Sequence, residues 1–204
     1  IQPDSLGNFQ IKIPVEKACF IELSTGYNAY GTVIAEPGMS YKVFINSEPE
    51  KDIFKVECES EKGQSLYNQI SNRSMIAGGH FELEARKYLK DSIDTEIKQN
   101  IKKNKEIELN GFRKLFESKV ISEDFYNLVS ADREYFYNGV QGSVAFINYL
   151  QSSRGQNSLT QDEFKKMWEE VFQTKPVSDP ELMRSFWFFY YTENYLRYNE
   201  LILE

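Results

Sequence analysis

Cys19, Cys58 and His80 are the residues best suited to nucleophilic or soft-metal chemistry, and their spacing narrows what that chemistry can be. The sequence has two cysteines and one histidine. The cysteines form no C-x-x-C motif, and with a single imidazole they fall short of the four ligands a structural zinc needs. A serine or cysteine nucleophile requires a base within reach, and His80, in "IAGGHFELE", is the single imidazole available for it. The preceding Gly78-Gly79 has neither the lysine of a Walker loop nor dinucleotide-binding spacing, so it reads as a connector carrying a surface histidine. The carboxylate pairs Glu123-Asp124 and Glu169-Glu170 are adjacent on expected helices, where neighbours diverge by about 100° and cannot converge on a substrate. "TQDEF", residues 160–164, lacks the alternating oxygen ligands and central glycine of a calcium loop and reads as a helix cap. No catalytic residue, cofactor site or metal ligand is therefore assigned, and no cofactor is expected.

The two cysteines themselves fall on the inward phase of alternating segments. Unpaired, they behave there as small apolar residues. Joined, they would tie two strands together, which requires an oxidising compartment and closely spaced Cα atoms. Both readings stay open. A reactive thiol is disfavoured because no basic neighbour or helix start is arranged to stabilise a thiolate.

The chain's 204 residues are enough for one large domain or two small ones. With 41% hydrophobic and 27% charged residues, it has the composition of a folded protein rather than a disordered one. A net charge of −7 argues against nucleic-acid binding, which needs a basic footprint. The most basic run, residues 98–108, is interspersed with glutamates and reads as a solvated helix face. No apolar run approaches the roughly 18 residues of a membrane span. The start "IQPDSLGNF" lacks an initiator methionine and a signal pattern, so the expectation is a processed or truncated product whose targeting segment has been removed.

The elements that would position any site change character near residue 62. Residues 1–62 read as an antiparallel β module, a small partial sandwich. "NFQIKIP" alternates Phe9, Ile11 and Ile13 with polar residues, and "ACFIELS", "AYGTVIAE", "SYKVFINS" and "DIFKVECES" follow as strands. Pro37-Gly38 marks a turn in which glycine takes a positive φ. Residues 63–204 read as an all-helical module, so the fold class is α+β. Phe81, Ala85, Tyr88, Leu89, Ile93, Ile97 and Ile101 recur at helical spacing and predict one long helix, interrupted or bent at Gly111. Ser122 is the expected cap of a helix whose stripe is Phe125, Leu128, Val129, Phe136, Val140, Val144 and Ile147. Thr160 with Glu163, and Ser178 with Glu181 behind Pro180, fit capping boxes.

The last expected helix carries "SFWFFYY". On one continuous helix, Leu182, Phe186, Phe189 and Leu196 share a stripe, and Met183, Trp187, Tyr190 and Tyr198 share its neighbour. Six consecutive aromatics surround the axis, so one packing partner cannot bury them all. Phe164, Met167, Trp168 and Phe172 of the preceding helix are ready partners for part of them. The remainder defines a candidate interaction surface of Trp187, Tyr190, Tyr191, Tyr195 and Tyr198, with Tyr191 and Tyr195 its leading members. Two such rings would contribute roughly 3–6 kcal/mol to an interface.

"DSLGNFQIKIP", then "FIELS" and "IAEPGMSYKVFIN", resemble the N-terminal module that precedes the redox domain in bacterial TlpA-like thiol–disulfide oxidoreductases. The matching turn positions are Asp4, Gly7 and Phe9, followed by Pro37-Gly38. "ISEDFYNLVSADREYFYNG" is similar to that family's intervening helical segment. Met39 stands where the family often has a polar residue, and the family's W-C-x-x-C site and thioredoxin fold do not occur in the sequence. The resemblance implies a further strand before Ile1 and an extracytoplasmic location. It implies a non-catalytic accessory region that positions or dimerises a thioredoxin-like domain, its partner being that downstream domain or a second copy of the chain. The competing expectation is a free-standing binding protein that offers an aromatic helical groove to a hydrophobic ligand or peptide.

Overall fold

The N-terminal alternation folds into two separate hairpins, each leaning on a helix. The computed structural model describes residues 4–5, 7–24, 30–45, 54–70, 80–89, 94–152 and 160–202. β1 (Cys19–Ser24) pairs antiparallel with β2 (Tyr30–Ala35), Cys19 opposite Ala35. β3 (Lys42–Ile45) pairs antiparallel with β4 (Phe54–Glu57), Lys42 opposite Glu57. Between the hairpins Gly38 takes φ +74°, as the Pro37-Gly38 turn requires.

Two-stranded sheets are marginal alone, and β2 gains its support from α1 (Glu61–Asn68). Gln64 acts as a surrogate strand: its side-chain oxygen accepts from the Ile34 amide at 2.9 Å, and its side-chain nitrogen donates to the Ile34 carbonyl at 2.8 Å. Asn68, one helical turn on, does the same to Thr32 at 3.0 and 2.8 Å. The helical i,i+4 repeat thus matches the strand i,i+2 repeat, and two amide side chains satisfy an edge that would otherwise invite another strand.

"NFQIKIP" does not form the expected strand. Phe9, Ile11 and Ile13 are 36%, 41% and 47% exposed. The turn before them is well made, with Gly7 at φ +81° and the Asn8 amide donating to Asp4 Oδ1 at 2.8 Å. Alternation supplies a strand face, but a strand also needs a paired neighbour, and none is formed among the described residues.

The expected long helix from Phe81 to Ile101 divides into α2 (His80–Ala85) and α3 (Asp94–Glu117), with 90–93 outside the described residues. Gly111 does not interrupt α3. Its role is close packing, since a Cβ there would lie 2.9 Å from Leu66. α4 (Glu123–Ser152) begins after Ser122, whose Oγ accepts from the Phe125 amide at 3.0 Å. The stripe from Phe125 to Val144 is wholly buried, and Ile147 packs partly buried against the core. α5 (Gln161–Thr174) carries the expected capping box of Thr160 and Glu163.

The aromatic stretch is not one helix. Asp179, not Ser178, caps a 3-10 turn over Pro180–Arg184, the chain is extended at Ser185, and α6 (Phe188–Ile202) starts afresh. The cause lies on α4. Asp132, 0% exposed, accepts at Oδ1 from Ser185 Oγ and from the Phe186 amide, both at 2.9 Å. Its Oδ2 accepts from the Tyr67 hydroxyl at 3.1 Å. Ser185 Oγ in turn accepts from the Trp187 amide at 3.0 Å. Breaking the helix delivers these donors to a buried carboxyl. Burial pushes the Asp132 carboxyl above the usual carboxylate range, and Arg133 together with the donors opposes that rise.

Two apolar clusters result. The larger spans α2 to α6. The smaller joins Ala18 and Ile34 of the hairpin region to Tyr67, Phe112, Ile121, Phe125, Leu128 and Val129. The β and helical regions therefore share a core. Asp132→Ala is expected to cost about 3–5 kcal/mol in urea unfolding, because it strands several buried donors. Asp132→Asn keeps the Oδ1 acceptor and should cost less than half as much. Equal, small losses for both would show that the carboxyl does not hold these elements.

Candidate functional site

A concavity lies where α1 starts, α3 ends and the Pro37-Gly38 turn approaches the α3–α4 corner. It is an open groove of about 1520 Å³. Leu66, Leu115, Phe116 and Val120 supply apolar surface, Lys62, Lys114 and Lys119 supply positive charge, and Glu36, Glu59, Glu61 and Glu123 supply negative charge. Two close approaches shape it. A Cβ on Gly63 would lie 2.5 Å from Ile121, so α1 sits directly on the corner. The Ser122 hydroxyl donates to the Glu36 carboxylate, tying the turn to the same corner.

The corner itself has an uncommon residue at its pivot. The Val120 amide donates to the Leu115 carbonyl at 2.9 Å and the Lys119 amide to the Phe116 carbonyl at 2.8 Å. This is the bond pair of a Schellman helix end, whose left-handed position is usually glycine. Lys119 occupies it at φ +59°. A side chain with a Cβ costs roughly 1–2 kcal/mol there relative to right-handed backbone, yet this one lines the groove.

The cysteines are free and half-buried, neither joined as a disulfide nor sealed in the core. Burial pushes the Cys19 thiol up, partly offset by the charge of Arg184. Cys58 lines the groove, its sulfur 3.5 Å from Ser60 Oγ.

The expected aromatic surface turns inward. Trp187 and Tyr191 are 0% exposed and Tyr198 is 8% exposed. The Tyr191 hydroxyl donates to the Lys175 carbonyl at 2.7 Å. Tyr195 packs edge-on against Phe172 with centroids 5.2 Å apart, and Tyr190 edge-on against Phe81 at 6.4 Å. The residues facing out are Phe189 at 78% and Leu196 at 60%, seven apart on α6, with Met183 at 71% before it. The expected stripe of Leu182, Phe186, Phe189 and Leu196 assumed a continuous helix. The break at Ser185 resets the phase, burying Leu182 and exposing Phe189.

The basic run is only partly solvated. Lys98 pairs with Glu170 at 2.5 Å and Lys105 with Glu134 at 2.7 Å, while Lys102 and Lys103 are exposed. Glu170 reaches α3 whereas Glu169 accepts from Gln173, so those adjacent carboxylates do diverge. Gly78-Gly79 and the His80 side chain lie outside the described residues. Among the described residues, no group of three or more His, Cys, Asp or Glu side chains is placed to hold a metal ion. None of the described helices is long and apolar enough to cross a membrane. No protein-family model, curated protein or solved structure matches the chain.

The buried phenols carry a pH consequence. Burial raises Tyr41 to about 12 and pushes Tyr135, Tyr137 and Tyr191 higher still. The unfolded phenol ionises near pH ~10. Between those values the native state holds more protons than the unfolded state, so stability declines with rising pH. Chemical unfolding midpoints should therefore be level from neutral pH to about 9 and fall steadily beyond about 10. A flat profile to pH ~12 would contradict the burial of these hydroxyls.

Proposed function

We propose that the chain acts by binding: it is a non-catalytic interaction region that positions a partner domain through the groove at the α3–α4 corner. The observation that carries this reading is Lys119, held in the left-handed backbone region with its side chain on the groove, where glycine would be the cheaper residue. An apolar surface flanked by charges of both signs also suits a protein partner, as interface cores are apolar and rims polar. On the resemblance in sequence, the partner we propose is a thioredoxin-like domain of an extracytoplasmic thiol–disulfide oxidoreductase. The Asp4–Asn8 and Pro37-Gly38 turns, with glycine at positive φ in each, support the resemblance at the positions that carry it.

The alternative of a free-standing binding protein loses its aromatic groove, since Trp187, Tyr191 and Tyr198 fill the chain's own core. The same corner groove is the site offered to a hydrophobic ligand or peptide in that reading.

Titration of isotope-labelled chain with a TlpA-like redox domain should shift amide resonances at Leu66, Phe116 and Lys119. Lys119→Gly should stabilise the chain by about 0.5–1 kcal/mol while weakening that association several-fold. Shifts confined to other surfaces would overturn the docking site, and shifts with an apolar peptide alone would favour the alternative. In an insulin-reduction assay the isolated chain should stay at the thiol background. Turnover well above it would contradict a non-catalytic role.

A further inference from the structure

The two hairpins bring both thiols to one end of the β region. Cys19 stands opposite Ala35 at the end of β2. Lys42 stands opposite Glu57, so Tyr41 and Cys58 are the next residues of their strands beyond that pair. The Tyr41 phenol crosses to the other hairpin, where its oxygen accepts from the Glu36 amide at 2.7 Å. β2 and β4 also lie alongside, because a Cβ on Gly31 would meet the Phe54 ring at 2.1 Å. Four residues on from each member of that contact come Ala35, the partner of Cys19, and Cys58. Both thiols act electrostatically on the Tyr41 phenol, which agrees with this placement.

We propose that Cys19 and Cys58 are a peroxide-responsive pair, oxidised by hydrogen peroxide to a reversible disulfide that clasps the two hairpins at the edge of the groove. Cys58 lines the open groove, where peroxide reaches its sulfur. Its sulfur gives two electrons to the O–O bond, which breaks, leaving a sulfenic acid and one water. The Cys19 sulfur then attacks that sulfur. The S–S bond forms, the S–O bond breaks, and the departing hydroxide takes the Cys19 proton to leave as a second water. Closure displaces the Tyr41 phenol from the Glu36 amide. Burial keeps Cys19 protonated above the ordinary thiol range, which slows its attack.

The test is to treat the reduced, full chain with hydrogen peroxide, then denature it, alkylate it and measure its mass. The expected product has lost two hydrogens, carries no alkyl group, remains monomeric, and regains both alkylatable thiols with dithiothreitol. Cys19→Ser should leave a dimedone-trappable sulfenic acid on Cys58, and Tyr41→Phe, which removes the bond to Glu36, should close several-fold faster. Two alkylated cysteines after peroxide, a stable sulfinic acid on Cys58 beside an unmodified Cys19, or a disulfide between chains would each overturn the proposal.

Discussion

A single buried carboxyl, Asp132 in the middle of α4, sets the arrangement of everything around it. A carboxyl without water must find donors within the protein. Here three donors come from two places distant in sequence: Tyr67 on α1, and Ser185 Oγ with the adjacent Phe186 amide. The first fastens the helix that supports β2, and the others fix the break that starts α6 with its own phase. Arg133 adds a second buried charge beside it, with Nε bonded to Glu108 at 2.9 Å and its guanidinium 4.1 Å from the Phe136 ring. Removing α1 or the Ser185 break from the network would leave buried polar atoms without these partners, which ties α1, and the β2 edge it supports, to α4 and the start of α6.

This arrangement also explains where the groove lies. With α1 held by Asp132 on one side and by the β2 edge on the other, its first turn is pressed against Ile121. The groove is what remains between that turn and the end of α3. The Ser122–Glu36 contact ties the hairpin turn to the helical corner beside it. A partner of the kind proposed would meet a groove whose walls are already fixed by these contacts, which lowers the conformational cost of docking.

Much of this was legible in the sequence, and the failures share a cause. Four strand segments, the Ser122 cap, the Thr160 capping box and the buried stripe of α4 follow from local pattern and local chemistry. Segment 8–14 reads as a strand because alternation reports a face and says nothing of a pairing partner. Gly111 reads as a break because propensity cannot see Leu66 packed against it. The aromatic stretch misled most. Its spacing places these residues on stripes of a helix through Ser185, whereas a carboxyl more than fifty positions earlier pulls that serine out of helical geometry. Trp187, just before α6, then lines up with Tyr191, Asn194 and Tyr198 of its inward seam, a pattern visible only once the true start of α6 is known. Gln64 and Asn68 belong to the same class: two polar helix residues whose spacing makes sense only against a strand edge. The Lys119 pivot carried no local signal, since lysine is not a residue expected at positive φ.

The claim that the hairpins and helices form one cooperative body is tested most directly by native-state amide hydrogen exchange. The Thr32 and Ile34 amides, bonded to Asn68 and Gln64, should open with the same free energy as the amides of Phe136 and Val140 in α4, both following global unfolding. Exchange at Thr32 and Ile34 that is orders of magnitude faster, with α4 still protected, would show the hairpins opening alone and would contradict the account.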